Sequence, residues 1–125
     1  EKEMLDYTSA NKITFIPFYP LAAGLLAGKY DENTKFEDLR ASLPFYQEDQ
    51  FKENLEKANK LKELAKKYDE DVAQIVLAFY LTRPSLDVII PGAKKGEQIK
   101  ANMRAADIEL DPKDVEYIDE IFKIN

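Results

Sequence analysis

Two kinds of hydrophobic pattern alternate along the chain. Phe51, Leu55, Ala58, Leu61, Leu64, Ala65 and Tyr68 recur at steps of three and four. That spacing predicts an amphipathic helix over 51–68, with lysines and glutamates on its solvent side. Val72 to Thr82 is apolar nearly all round and predicts a buried helix ending before Pro84. Asp71, with Gln74 three residues on, has the pattern of a capping box at its start. Residues 1–11 read as the tail of a helix, with Met4, Leu5 and Thr8 on one face and Asn11 as its stop. Glu97 to Arg104 reads as a short helix with Ile99 and Met103 inward. Asp111-Pro112 then opens a terminal helix whose face is Val115, Ile118, Ile121 and Phe122.

Two runs break the helical period. Ile13-Thr14-Phe15-Ile16-Pro17-Phe18 and Leu86-Asp87-Val88-Ile89-Ile90-Pro91 are β-branched and aromatic, with apolar residues pointing both ways. This predicts two strands buried on both faces, as in a parallel sheet covered by helices. Pro17 and Pro20 bring the first to an end. Residues 31–49 are polar and acidic around one apolar island, Leu43-Pro44-Phe45-Tyr46, and read as a long loop. The element order is thus helix, strand, loop, helix, helix, strand, helix, helix. Strands separated by helices imply an α/β fold with parallel strands, but two strands cannot close a sheet, so the chain reads as part of something larger.

Composition narrows the chemistry. The 125 residues are enough for one domain, and 45% apolar against 34% charged residues permits a core. Eighteen basic and twenty-four acidic residues leave a net charge of -6, which disfavours nucleic-acid binding. There is no cysteine and no histidine, so disulfides, thiolate chemistry, a Ser-His-Asp triad and the commonest metal ligands are excluded, and no metal site is expected. No apolar run reaches the length of a membrane span. The acidic start, Glu-Lys-Glu-Met, is no signal peptide and has no initiator Met in first place, the expectation being a chain that begins inside a longer one and works in the cytoplasm.

Two strand-to-loop junctions carry the candidate chemistry. After Phe18 comes Pro20-Leu21-Ala22-Ala23-Gly24-Leu25-Leu26-Ala27-Gly28-Lys29-Tyr30, a small-residue turn that lets a ligand approach the main chain and offers it N–H groups. After Ile90 comes Pro91-Gly92-Ala93-Lys94-Lys95-Gly96-Glu97-Gln98, which joins a flexible turn and two cations to a helix start, a combination that favours an anion. Read alone, the second junction is equally well a plain turn with solvated lysines. Neither is a Walker A loop or a GxGxxG fingerprint.

Together the junctions are more specific. The run from Ile16 to Tyr30 resembles the seventh-strand segment of aldo-keto reductases. Ile89-Ile90-Pro91-Gly92-Ala93, followed by Gln98 and Asn102, resembles that family's eighth-strand signature, and Ala73-Gln74-Ile75-Val76-Leu77-Ala78 resembles the buried helix between them. The resemblance implies the C-terminal portion of a (β/α)8 TIM barrel, with NADP(H) as cofactor and reduction of aldehydes or ketones to alcohols by hydride transfer. It implies that Phe18 stacks on the nicotinamide and that Tyr19, Pro20, Leu21, Ala22 and Ala23 form the pyrophosphate turn. A serine is common in the family where Tyr19 stands. Lys29 and Arg40 match positions that hold cofactor phosphates. Gly92 to Lys94 match the loop around the adenosine 2′-phosphate, with Gln98 beside it and Asn102 at the adenine; Ala101 stands where the family often has glutamate. The family's Asp-Tyr-Lys-His tetrad comes from the other half of the barrel. The chain is therefore expected to be a cofactor-binding half with no catalytic residue of its own, inactive alone, and self-associating or packed on the missing N-terminal half. The carbonyl substrate would belong to the parent protein. The alternatives are a non-catalytic, nucleotide-binding regulatory subunit and an inert fragment.

Overall fold

The computed structural model describes residues 2–123. Five helices order them: α1 (Lys2–Ala10), α2 (Glu48–Lys67), α3 (Val72–Leu81), α4 (Gly96–Arg104) and α5 (Pro112–Phe122). The predicted stripe of α2 is buried as read: Phe51, Leu55, Ala58, Leu61, Leu64 and Ala65 all face inward. The lower half of that stripe meets Val72, Ile75 and Val76 of α3 and Ile118 and Ile121 of α5 in the main core, where Leu61 and Ile75 are wholly enclosed. The upper half, Phe51 and Leu55, packs with Leu25 and Tyr46 in a second, aromatic cluster.

Among the described residues there is no β-strand, which corrects the expectation of two parallel strands. Segments 13–18 and 86–91 carry no regular secondary structure; they approach each other through one side-chain bond from Thr14 Oγ1 to Asp87 Oδ2 (3.2 Å) and one backbone bond from Phe15 N–H to the C=O of Ser85, just before the second segment (2.7 Å). A single backbone bond makes no ladder, and Pro17 and Pro91 have no N–H to donate. Nor are the segments buried on both faces, since Ile13, Ile16, Val88 and Ile90 are 44–66% exposed. Their β-branched and aromatic composition was legible, but nothing among the described residues covers these side chains.

The loop over 31–49 is more ordered than its polarity suggests. It holds two short 3-10 turns, Leu39–Ser42 and Pro44–Tyr46, and α2 already starts at Glu48. Tyr30, Phe36, Tyr46 and Phe51 interlock edge to face, with Phe36 and Tyr46 centroids 4.5 Å apart.

Three helix details also depart from the sequence reading. The Asp71 side chain makes no capping bond, and Gln74, 2% exposed, has a buried Oε1 with no partner, so there is no capping box. Ile99 and Met103 of α4 point outward (54% and 68% exposed). The small Ala105 at the end of α4 lets that helix approach Leu77 and Ala78 of α3 closely, and this contact turns the larger apolar residues away. At α5, the Asp111 carboxylate does not cap the helix either.

Asp111 instead joins a clasp between the end of α2 and the start of α5. Lys67 Nζ donates to Asp111 Oδ2 and Asp114 Oδ2, both at 2.7 Å. The Tyr68 hydroxyl donates to Asp114 and accepts from the Asp111 N–H (2.9 Å). Desolvation pushes the Asp114 carboxyl upward, but the bonds from Lys67 and Tyr68 outweigh it and hold its pKa below the ordinary aspartate value. A depressed carboxylate stabilises the fold above its unfolded pKa, and that contribution disappears as pH falls through the folded value. Tyr68→Phe is expected to destabilise the chain by about 0.5–1.5 kcal/mol at neutral pH. In denaturant titrations from pH 7 to pH 2, the gap between this variant and the parent should narrow below the ordinary aspartate range; a gap independent of pH would contradict the clasp.

Candidate functional site

The turn after segment 13–18 is held in an unusual backbone. Ala22, Ala23 and Gly24 have φ of 47°, 53° and 101°, and Tyr19 has 52°. Each non-glycine residue in this left-handed region costs about 1–2 kcal/mol, so surrounding contacts must impose the conformation. They are identifiable. Ala22 N–H donates to Tyr19 C=O and Gly24 N–H to Leu21 C=O, closing the turn on itself. The Tyr46 hydroxyl donates to Ala23 C=O (3.2 Å). Gly24 has no Cβ where Tyr30 presses: a methyl group there would sit 2.9 Å from the Tyr30 hydroxyl. The N–H groups of Ala22 and Gly24 are thus engaged within the turn, which limits the expectation that this turn offers a run of free donors.

Tyr30 leads on to Arg40. The Arg40 guanidinium donates from Nε and Nη2 to Asp38 (2.8 and 2.6 Å) and from Nη1 to the Tyr30 hydroxyl, and its carbon lies 4.9 Å from the Phe36 ring centroid. Asp38 also accepts from the Arg40 N–H (3.0 Å), capping the 39–42 turn. The bonds from Arg40 hold the Asp38 carboxyl down at about 2, and Lys94 adds a smaller electrostatic contribution from the other junction. The same bonds raise the guanidinium further above its ordinary value. Burial pushes the Tyr46 phenol up, with Tyr30 beside it adding to the shift.

At the second junction, Gln98 Oε1 accepts from the Lys94 N–H (2.7 Å) and the Lys95 N–H (3.1 Å). The amide of Gln98 therefore braces the loop that carries Lys94 from inside α4.

These parts border one cleft of about 1120 Å³. Clefts for drug-sized ligands run roughly 300–1,000 Å³, so this one has room for at least such a ligand. Phe18, Tyr19, Pro20, Leu21, Ala23, Lys29 and Arg40 line it from the first junction, and Gly92, Lys94, Gln98 and Asn102 from the second. Of the twelve residues singled out from sequence, Ala22 alone does not line it; it packs against the cluster of Leu25, Tyr46, Phe51 and Leu55. Lys95, a further candidate cation, does not line it either. Phe18 is 85% exposed, with one face stacked on Tyr19 at 4.1 Å, so its other face is open to a flat ligand. Sequence reasoning missed Asp38, Asp71, Gln74 and Glu97, which also line the cleft. Three carboxylates thus face the three cations Lys29, Arg40 and Lys94. Gln74 had a legible signal, being the one amide within an otherwise apolar helix.

Does this donor set fit a dinucleotide? The open aromatic face, the small-residue turn, the cations and the unpartnered, buried Gln74 oxygen all suit a long ligand with a flat ring, phosphates and N–H donors. No group of three or more His, Cys, Asp or Glu side chains is placed to hold a metal among the described residues.

The cleft is thus bordered by the start of α3, by α4 and by the strained turn. The chain matches the model of the Aldo/keto reductase family over residues 1–123, and it belongs to that family. It is 38% identical over 104 residues to aldo-keto reductase YhdN of Bacillus subtilis, covering 81% of this chain and 31% of that protein. It is 32% identical to aldo-keto reductase str7 of Strobilurus tenacellus, over 82% of this chain and 31% of that one. A probable voltage-gated potassium channel subunit beta from Oryza sativa is also 32% identical, over 86% of this chain and 34% of its own length. The fold is shared with a glycerol dehydrogenase from Gluconobacter oxydans: TM-score 0.86 at 24% identity, covering 96% of this chain and 37% of the dehydrogenase. The chain thus spans about a third of the length of the curated relatives it matches.

Proposed function

We propose that residues 1–125 are the C-terminal, cofactor-binding part of a (β/α)8 reductase that works in the cytoplasm and reduces aldehydes or ketones with NADPH. The observation that carries this reading is the convergence of Phe18, the Tyr19–Ala23 turn, Lys29, Arg40, Gly92, Lys94, Gln98 and Asn102 on one cleft. When bound, the dinucleotide supplies a hydride donor. The chain's own part is binding: Phe18 presents a flat face, the turn brings backbone close, and Lys29, Arg40 and Lys94 offer charge to phosphates. Asn102 offers an amide to a base, and Gln98 holds the Lys94 loop in place.

No histidine is present to orient a carbonyl, so this chain is not expected to complete the reaction. The purified chain should quench or shift NADPH fluorescence on titration, yet oxidise no NADPH above a buffer control when an aldehyde is added. Absence of any NADPH binding by either the chain or its intact parent would sink the reading. Turnover by the chain alone would show that the catalytic group lies within it. The resemblance to a potassium channel beta subunit favours one second reading, a nucleotide-binding regulatory subunit; an intact parent that binds NADPH without reducing carbonyls would establish it over the first.

The uncovered side chains of Ile13, Ile16, Val88 and Ile90 bear on association. Burying one such side chain is worth roughly 1.5–3 kcal/mol, so these residues favour packing against another copy or against the rest of the parent. Light scattering on the purified chain should find species larger than a monomer. A compact monomer that binds no apolar-surface dye would overturn this.

A further inference from the structure

Arg40 is the guanidinium of the cleft, and each of its three nitrogens already donates a hydrogen bond. Nε and Nη2 reach the Asp38 carboxylate, Nη1 reaches the Tyr30 hydroxyl, and the Phe36 ring lies against its carbon. A planar guanidinium fork matches carboxylate and phosphate oxygens alike, and the two compete for the same N–H edge. We propose that Asp38 stands in for a phosphate on Arg40 in the ligand-free protein, and that this internal competitor sets how strongly the cleft prefers a 2′-phosphorylated dinucleotide over its unphosphorylated counterpart.

Four observations support the inference. First, Asp38 and Arg40 both line the cleft, so an anion entering it meets the pair and not a free arginine. Second, the carboxylate is fixed in place, because it also caps the 39–42 turn through the Arg40 N–H. Third, Arg40 is held on its far side by Tyr30 and Phe36, so it cannot swing away from Asp38 without leaving both. Fourth, Lys94 lines the same cleft from the second junction, so the cleft holds another cation besides the paired arginine. Asp38 is thus a specificity-determining residue: it pre-orients Arg40 and at the same time reduces the charge Arg40 shows to a ligand.

The proposal rests on the NADPH reading for its ligand but not for its mechanism, and the test separates the two. Asp38→Asn keeps an oxygen for the turn cap and removes the charge; Asp38→Ser is a second variant with a capping oxygen. In the intact protein, either change should tighten NADPH binding by about two- to five-fold, the range expected for an exposed charge pair, and leave NADH affinity unchanged. The gain should shrink at high salt. In parallel, inorganic pyrophosphate is titrated while the Arg40 Nε–H resonance is followed in arginine-labelled protein. The resonance should move at lower pyrophosphate in Asp38→Asn than in the parent. If the resonance moves at the same pyrophosphate in both, or the NADPH to NADH ratio is unchanged in both variants, Asp38 is no competitor and the proposal fails. If pyrophosphate behaves as expected and neither dinucleotide binds, Asp38 stands as the competitor for an anion and the NADPH reading is what fails.

Discussion

Leu61→Ala is expected to destabilise the chain by about 2–5 kcal/mol, the range for deleting a buried leucine whose neighbours cannot close the gap. Leu61 is wholly enclosed where α2, α3 and α5 meet, in one cluster with Ile75 and Ile118. α2 and α3 follow one another and α5 comes from the end of the described chain, and all three converge on this point, so a void there loosens all of them together. A domain's net stability is only about 5–15 kcal/mol. The variant should therefore show a clearly lowered midpoint in urea, and α3, whose inner face carries the floor of the cleft, should lose order with it. A midpoint within error of the parent would show that the site collapses around the smaller side chain. Ile121→Val, at the edge of the same cluster, is the milder control.

Arg40→Ala is expected to weaken NADPH binding by roughly tenfold, while NADH affinity changes little. Hydrogen bonds to a charged group are worth about 1.5–3 kcal/mol, and the lower end applies because Asp38 already occupies much of the guanidinium. The same substitution also removes the contacts to Tyr30 and Phe36, so binding alone could be confused with a disturbed turn. Arg40→Lys resolves this. A lysine keeps the charge but has no planar fork to bond Asp38 and Tyr30 at once. Partial recovery of NADPH affinity in Arg40→Lys would assign the loss to charge, and an equal loss of NADH and NADPH in both variants would show that the arginine serves the fold only.

How far sequence carried the reading depended on whether a residue's partners lay nearby in the chain. The stripe of α2 was legible because each apolar position is a helical turn from the next, and burial followed the period. The face of α4 was not, because the contact of Ala105 with Leu77 and Ala78 decides it, and small residues give little signal in a hydrophobic pattern. The two β-branched segments were read correctly as non-helical and wrongly as strands. β-branched and aromatic composition favours a strand over a helix locally, whereas pairing needs neighbours that composition cannot supply. At the cleft, residues within the two junctions were legible from motif alone. Asp38 was not, since its meaning lies in a bond to a residue two positions on that turns a candidate phosphate ligand into half of a pair.

α2 enters both clusters, its upper end in the aromatic one and its lower end in the main core. The two ends rest on different partners, and this gives the molecule two levels of cooperativity. Residues 31–46 depend on ring contacts among Tyr30, Phe36, Tyr46 and Phe51, with short 3-10 turns in place of long helices. A local opening of these residues would break those contacts and leave those of α3 and α5 with the lower half of α2 in place. Such an excursion would carry Arg40 and Asp38 off the rim and free the Ala23 carbonyl from Tyr46, opening the mouth of the cleft without melting its floor. The rim of the cleft and its floor thus rest on different sets of contacts, the one aromatic and the other aliphatic.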